Sequence, residues 1–426
     1  MNEQNTNTPT GTTSTSLSSF TFAQAWQCYK EKRYAEAFSL VKHAIAAGDI
    51  PAAFAMSCTW IVYQYVKGCK ETIAQEDFSI AVSYFQKLDK KADLARSLFL
   101  ALTLGISKRF PSFNFAEFCI AYGIAALRDE DFEGKDFQAP DGKTLHYDSL
   151  AEKTASRLYN CMKVPGRHNP STANALLPFF LSVKEKCKGN KFIDMYIGLA
   201  YYWAGNTEAA TEKFRHILLT DPQWYIWKNM MLVTSDNKLK IAFCCKACSM
   251  VSDENFKGKL HLQLAGLLED CDKPHAAMEL GAYMATYQKN GWYIGDEARL
   301  LANRLAGVAP AVDSRDFYAA HSQKAEETVY GGISPVNMKF VKKLQMPNGK
   351  YKALLADGKY KSVKVSLGKL GAGAQIGDAF EVRLHGKTVL TVAAIASDKA
   401  NGPETKKRKV ASEGCWHRVH GRAAVS

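Results

Sequence analysis

The sequence predicts a mainly α-helical chain in which an α-solenoid is followed by a small five-stranded β-barrel. Apolar residues are spaced by three and four positions from Phe22 to about Ala306, which is the period of amphipathic helices. After Pro335 the pattern changes to alternation, which is typical of strands. Nearly all of the net positive charge lies in this last part, so the two parts differ in charge as well as in period.

These patterns divide the chain into five segments. Residues 1–20 are rich in Asn, Thr and Ser and are expected to be disordered. Residues 21–307 form the helical-repeat part, 308–333 a linker with one short helix, and 334–396 the barrel. Residues 397–426 have no periodicity and are predicted to be a basic, disordered tail.

Composition indicates a globular protein of the cytoplasm. Of 426 residues, 47% are hydrophobic and 23% charged, which is ordinary for globular chains. The eleven cysteines lie mostly inside apolar helical patterns, as expected for buried, reduced thiols. No apolar run approaches the ~18 residues of a membrane span, and the N-terminus lacks a signal-peptide pattern. We therefore expect a cytoplasmic protein without membrane contact.

One helical segment carries a repeat pattern. Small residues recur where two antiparallel helices approach closely, aromatic residues fill the space between them, and Pro222 stops the second helix. The residues concerned are Gly198, Tyr201, Gly205-Asn206, Ala210, Phe214 and Asp221-Pro222. This segment, 191–224, resembles a tetratricopeptide (TPR) repeat, and residues 25–45 and 264–284 resemble weaker copies. A TPR-like solenoid of stacked helical pairs is the resulting prediction.

The C-terminal alternation predicts five strands. They are Met338–Gln345, Lys350–Ala356, Tyr360–Leu367, Asp378–Leu384 and Lys387–Ala394. Asn348-Gly349, Asp357-Gly358 and His385-Gly386 suit tight hairpin turns, and only the third connection is long. Three strands in a meander, a longer crossing and a final hairpin indicate an OB-like barrel, with an SH3-like barrel as the structural alternative.

The charge distribution predicts a contact with nucleic acid. The chain has a net charge of +13, and residues 334–426 hold 18 basic and six acidic residues. Lysines that alternate with aromatic residues suit single strands, because cations neutralise phosphates while rings stack on bases. The alternative is a lysine-rich, solvated sheet face. The predicted contacts are Lys342, Lys343, Lys350, Tyr351, Lys352, Tyr360, Lys361, Lys364 and Arg383.

A second predicted site is a protein-binding groove in the strong repeat. Met195, Leu199, Tyr202 and Trp203 follow one another at helical spacing and are suited to line a concave surface for an apolar peptide or helix. The alternative is that these side chains only pack against the next helical pair.

Motifs for catalysis, metal ions and cofactors are not found, and we expect no enzyme. The thiols Cys244, Cys245 and Cys248 include one CxxC but lack a second ligand pair, which favours packing in a helix over zinc. Two Gly-Lys-Thr triplets, at 142–144 and 386–388, lack the earlier glycine of a phosphate-binding loop. Lys406–Val410 resembles a nuclear-import signal, and also fits a polyanion contact or appended sequence.

The linker and barrel together carry a more specific resemblance. Tyr318, Ser322, Ala325-Glu326-Glu327 and Tyr330 precede a cold-shock-like barrel that includes Gly377–Val382. This resembles the C-terminal module of TPR-containing accessory proteins of bacterial TOTE-type conflict systems, which implies a role in antiviral defence or nucleic-acid surveillance. We therefore expect an adaptor that binds RNA or single-stranded DNA through its barrel and a protein through its repeats. The alternative is a protein–protein scaffold whose barrel docks onto an acidic protein.

Overall fold

A computed structural model describes residues 19–395 except 141, 143, 165, 188, 189, 360 and 372. Within these residues the chain is 60% helical, with sixteen α-helices followed by a curled five-stranded antiparallel sheet. The chain divides after Asn206 into two compact units. The predicted tails, 1–18 and 396–426, and Tyr360 lie outside the described residues. In the described part, no helix combines the length and the apolar character needed to cross a membrane.

The first unit contains nine helices and one β-hairpin among its described residues. The helices are α1 (Ser19–Lys30), α2 (Tyr34–Ala47), α3 (Ala55–Gly68), α4 (Gln75–Lys87), α5 (Leu94–Ile106), α6 (Phe115–Tyr122), α7 (Leu150–Met162), α8 (Pro170–Lys186) and α9 (Ile193–Trp203). The hairpin strands, between α6 and α7, are β1 (Lys135–Gln138) and β2 (Thr144–Tyr147).

Helix starts and apolar faces of this unit follow from the sequence. The Asp93 carboxylate accepts the backbone N–H of Ala95 at 2.8 Å and so caps α5. Ser149 and Glu152 form a reciprocal capping box at the start of α7. Between helices, the fully buried rings of Phe85 and Phe99 stack with centroids 3.9 Å apart. Aromatic packing of this kind fills the core of the unit.

The hairpin β1–β2 differs from the helical pattern predicted for this part of the chain. The sequence predicted helical spacing from Phe22 to about Ala306. Two short strands pair here instead, with Asp136 opposite His146 and Phe137 opposite Leu145. All eight strand residues are exposed. The hairpin therefore adds no buried core, and helical spacing alone did not reveal it.

The second unit contains the remaining helices and the larger sheet. Its helices are α10 (Thr207–Thr220), α11 (Trp224–Met230), α12 (Asn237–Met250), α13 (Glu254–Leu268), α14 (Lys273–Lys289), α15 (Asp296–Arg304) and α16 (Arg315–Tyr330). Its strands are β3 (Val336–Gln345), β4 (Tyr351–Ala356), β5 (Ser362–Ser366), β6 (Ala379–His385) and β7 (Thr388–Ala394). A short 3₁₀ helix, Leu367–Leu370, follows β5.

Helix α16 occupies most of the segment that the sequence predicted as a linker. It has 16 residues and packs along α12. Tyr318, Ser322, Ala325 and Tyr330 are buried, at the helical spacing of one face. The Tyr330 hydroxyl donates to the Leu218 carbonyl at 3.2 Å. The segment is thus a core helix of the second unit, longer and more tightly packed than a short helix in a connection.

The sheet has the strand order β5-β4-β3-β6-β7, with every neighbouring pair antiparallel. All five predicted strands are present, with ends within two residues of the prediction. The three short connections contain Gly349, Gly358 and Gly386, each with a positive φ angle. Apolar residues at every second position were therefore sufficient, together with these turns, to locate the strands.

The core of the sheet lies on one face. Its buried residues are Met338, Phe340, Ala353, Leu355, Val365, Leu370, Phe380 and Val382. The 3₁₀ helix contacts β4, β5 and β7, and its Leu370 closes this core at one end. Because successive strand residues point to opposite faces, the positions between these core residues form the outer face.

Candidate nucleic-acid interface

Lysines of three adjacent strands share the outer face of the sheet. In β4, Ala353 and Leu355 are buried, so Leu354 points away from the core. The strand register pairs Leu354 with Lys342 of β3 and with Lys364 of β5. Directly paired residues point to the same face. A half-buried leucine therefore lies between two exposed lysines across the strands.

The next row of the outer face repeats this alternation in the opposite order. Lys352 of β4 pairs with Leu344 of β3 and with Ser366 of β5. Leu344 is half-buried and Lys352 is exposed. We call this surface, made of Lys342, Leu344, Lys352, Leu354 and Lys364, the outer lysine face.

The cations of the outer lysine face lack acidic partners. In the part of the chain that the structure describes, Lys342, Lys352 and Lys364 form no ion pair. The carboxylate of Asp357, in the β4–β5 turn, accepts the backbone N–H of Lys359 at 2.8 Å and that of Lys361 at 3.0 Å. The positive charge of the face is therefore available to an external anion.

A shallow cleft adjoins this face at the β3–β4 hairpin. Its volume is about 280 Å³, and its lining residues are Met346, Pro347, Asn348, Lys350, Tyr351, Lys352 and Ser366. Lys352 and Ser366 belong to the second row of the outer face, so cleft and face are continuous. Apolar groups of the hairpin thus lie beside two lysines.

Lys343 and Tyr351 lie on the other side of the sheet. Lys343 pairs with the buried Ala353, and Tyr351 precedes Ala353 by two positions, so both side chains point to the core side. The Lys343 ammonium lies 4.4 Å from the centroid of the Tyr351 ring. Tyr351 is 46% exposed. The two residues form a pair of their own, and the structure does not bring them onto the outer lysine face.

The remaining predicted contacts lie in turns or face a helix. Lys350 and Lys361 are exposed in the hairpin turns, and Lys350 lines the cleft. Arg383 of β6 forms an ion pair with Glu327 of α16 at 3.1 Å, and its Nε donates to the Ile333 carbonyl at 3.1 Å. The Arg383 guanidinium is therefore engaged within the chain, where it joins β6 to the end of α16.

The four residues predicted for the protein-binding groove are mostly inside the first unit. Met195, Leu199 and Trp203 are buried, and the Trp203 ring stacks on His168 with centroids 5.4 Å apart. Tyr202 is half-buried. Three of these side chains thus pack within the chain, as the alternative interpretation expects.

The cysteine cluster is fully buried. Cys244, Cys245 and Cys248 have no exposed surface, and the Cys244 thiol donates to the Leu260 carbonyl at 3.6 Å. Burial raises the pKa of Cys245 well above its usual range. A protonated, buried thiol is a packing group.

An irregularity in β3 explains why the alternation in the sequence did not predict which lysines share one face of the sheet. A bulge at Val341 shifts the register between Phe340 and Lys342. The bulge reverses which later residues of β3 point outward, so Lys342 and Leu344 lie on the same face as Leu354, and Lys343 points to the core side. Two consecutive lysines interrupting the alternation are the signal in the sequence that marks this irregularity.

Part of the helical region matches a known family model. A family model for a domain of unknown function, DUF7017, matches residues 191–325, which extend from α9 into α16 and end before the sheet. No curated protein matches the chain.

Proposed function

We propose that the protein is a non-enzymatic adaptor that binds RNA or single-stranded DNA on the outer lysine face. The observation that carries this proposal is the alternation of unpaired lysines with half-exposed leucines across β3, β4 and β5. Phosphates neutralise the lysines, while bases contact the leucines between them. A duplex keeps its bases inside, so it uses only the cations of such a surface.

The strand pairing supports an OB-type barrel. The first strand of the sheet, β3, pairs with the second and the fourth, and a 3₁₀ helix fills the long connection. In OB folds, oligonucleotides bind on the face of the second and third strands and on the first hairpin loop. Here these parts are β4, β5 and the loop that lines the cleft.

Helical pairs support a solenoid in the rest of the chain. Sequence neighbours pack on one another, as α1 does on α2, α8 on α9, and α13 on α14. Stacked pairs of this kind bury faces that one pair leaves exposed. We propose that a protein partner binds this helical part. A cleft of about 420 Å³ between α4 and α6, lined by phenylalanines such as Phe110 and Phe113 and by polar residues such as Gln75 and Asn114, offers a mixed polar and apolar surface for it.

The resemblance to accessory proteins of TOTE-type conflict systems adds a context to this proposal. Its residues Tyr318, Ser322, Ala325 and Tyr330 form the buried face of α16. They account for the packing of α16 on other helices of the second unit, and they say nothing about the ligand. A role in antiviral defence in the cytoplasm is the biological setting that we propose.

The test is a charge reversal on the outer lysine face. Replacing Lys342, Lys352 and Lys364 by Glu in the full chain should abolish binding of single-stranded RNA and DNA, measured by fluorescence anisotropy. The matched control replaces the exposed Lys259, Lys289 and Lys324 of the helices by Glu, with the same change in net charge. Equal loss in both variants, or none in either, contradicts the proposed face.

The same preparation tests the protein-scaffold alternative. Nucleic acid that co-purifies with the wild-type chain and is released by nuclease supports the adaptor. An acidic protein that co-purifies in equal amount, and is lost in the outer-face variant, supports a scaffold whose sheet docks onto that protein.

A further inference from the structure

The exposed hairpin β1–β2 is connected to the helices through a cluster of metal-ligand groups. One imidazole nitrogen of His146, one carboxylate oxygen of Asp148 and one of Glu152 lie within 4.8 Å of one another. His146 belongs to β2, Asp148 to the connection that follows, and Glu152 to the first turn of α7. Three chain segments thus converge where the hairpin meets its supporting helix.

Glu152 uses only one of its two carboxylate oxygens to cap α7. The residue is 3% exposed, and its Oε2 accepts the backbone N–H of Ser149 at 2.8 Å. Oε1 accepts no hydrogen bond from the residues that the structure describes. No lysine or arginine in the same described part pairs with Asp148 or Glu152. A divalent ion would bring positive charge to a point where two carboxylates and one imidazole nitrogen meet.

The imidazole of His146 is held as a metal-bound histidine commonly is. Its Nδ1 lies 2.7 Å from the carboxylate of Asp136 on the neighbouring strand. A carboxylate on one ring nitrogen fixes the ring and increases the basicity of a ligand histidine. The ring also lies against Gly134, where a Cβ atom would be 2.6 Å from Cε1. A side chain at residue 134 would therefore displace the ring from this position.

We propose that His146, Asp148 and Glu152 bind a divalent transition-metal ion that fastens the hairpin to α7. One nitrogen and two carboxylate oxygens suit Mn²⁺ or Zn²⁺, and water completes the coordination. An isolated two-stranded hairpin is marginally stable in water. The ion contributes the stability that the exposed strands cannot draw from a core, so its role is structural.

The probe is Mn²⁺, because it prefers nitrogen and oxygen ligands to the thiols elsewhere in the chain. Electron paramagnetic resonance of the full chain, without an affinity tag, should show one bound ion at micromolar Mn²⁺. His146→Ala and Asp148→Asn should each weaken binding about tenfold or more. Glu152 stays unchanged because it also caps α7. The control is His43→Ala, at an exposed histidine of α2.

A second measurement separates the hairpin site from any other. Mn²⁺ should slow amide hydrogen exchange in β1 and β2 of the wild type and not in Asp148→Asn. Gly134→Ala should weaken binding without removing a ligand, because its methyl group displaces the His146 ring. Full-chain protein that binds no Mn²⁺ at tens of micromolar overturns the proposal, as does unchanged affinity in both ligand variants.

Discussion

Neighbouring lysines of the sheet have different surroundings because strand residues alternate between its two faces. Lys342 points outward beside Leu354, whereas Lys343 points to the core side and lies over Tyr351. The sequence identifies these residues as basic and aromatic, but it does not locate the bulge at Val341, which determines that Lys342 and not Lys343 points outward. Arg383 shows the same limit, because its partner Glu327 is 56 positions away in sequence.

Leu354 allows a test of apolar contact between the bases and the outer lysine face. Replacing Leu354 by Ala should weaken single-strand affinity about fivefold, the equivalent of ~1 kcal/mol, since apolar contact area is lost. The salt dependence should stay the same, because no charge is removed. Anisotropy titrations at several salt concentrations measure both quantities. Ile376→Ala, at an exposed apolar residue outside the outer lysine face, serves as the control. A loss confined to Tyr351→Ala would instead locate the bases on the core side.

Elements differ in how far local sequence determines them. The five strands of the larger sheet were predictable, because glycine turns mark their ends and apolar residues their core face. The hairpin β1–β2 was missed, because its strands are four residues long and bury nothing. Helix α16 was predicted too short, because its full length is stabilised by packing against α12, where Ser322 and Glu326 contact Ser249 and Lys246. That contact is made with a helix some 70 positions away in sequence.

A buried polar network joins three helices of the second unit. His261 of α13 lies 2.5 Å from Glu279 of α14 and 3.2 Å from Glu254, and the Tyr318 hydroxyl of α16 donates to Glu279 at 2.6 Å. Desolvation alone lowers the pKa of His261, but the hydrogen bonds and charges of the two glutamates outweigh it and raise the pKa. The imidazolium therefore bridges two carboxylates. Lys257 on α13 and the thiols Cys245 and Cys248 on α12 are further titratable groups beside the network.

This network predicts a pH dependence of stability. Because folding raises the pKa of His261, its contribution is complete below the unfolded value of ~6.5 and is lost as pH rises through the folded value. The thermal midpoint of the wild type should fall over that range. In His261→Asn the midpoint should be lower at pH 6, and this part of the pH dependence should disappear. His216→Asn, at an exposed histidine of α10, should leave the profile unchanged. A wild-type profile that is flat above pH 6.5 contradicts the bridging role.

At the scale of the whole molecule, the clearest feature of the sequence is that its excess positive charge lies almost entirely in the C-terminal part. Residues 1–333 have 37 basic and 36 acidic residues, and residues 334–426 have 18 and six. This count predicts that the C-terminal part is the one suited to a polyanion, and the strand register shows which of its cations share a face. It does not identify the partner of the helical part, whose predicted groove is mostly buried.

The salt dependence of affinity tests whether single-stranded nucleic acid binds on the outer lysine face. Affinity for a single-stranded oligonucleotide is measured between low and physiological salt for the wild type and for Lys342, Lys352 and Lys364 replaced together by Gln. If three phosphates contact these lysines, the slope of log affinity against log salt should become less steep by about 2, at ~0.7 per phosphate. An unchanged slope in the triple variant, with wild-type affinity retained, would contradict the account.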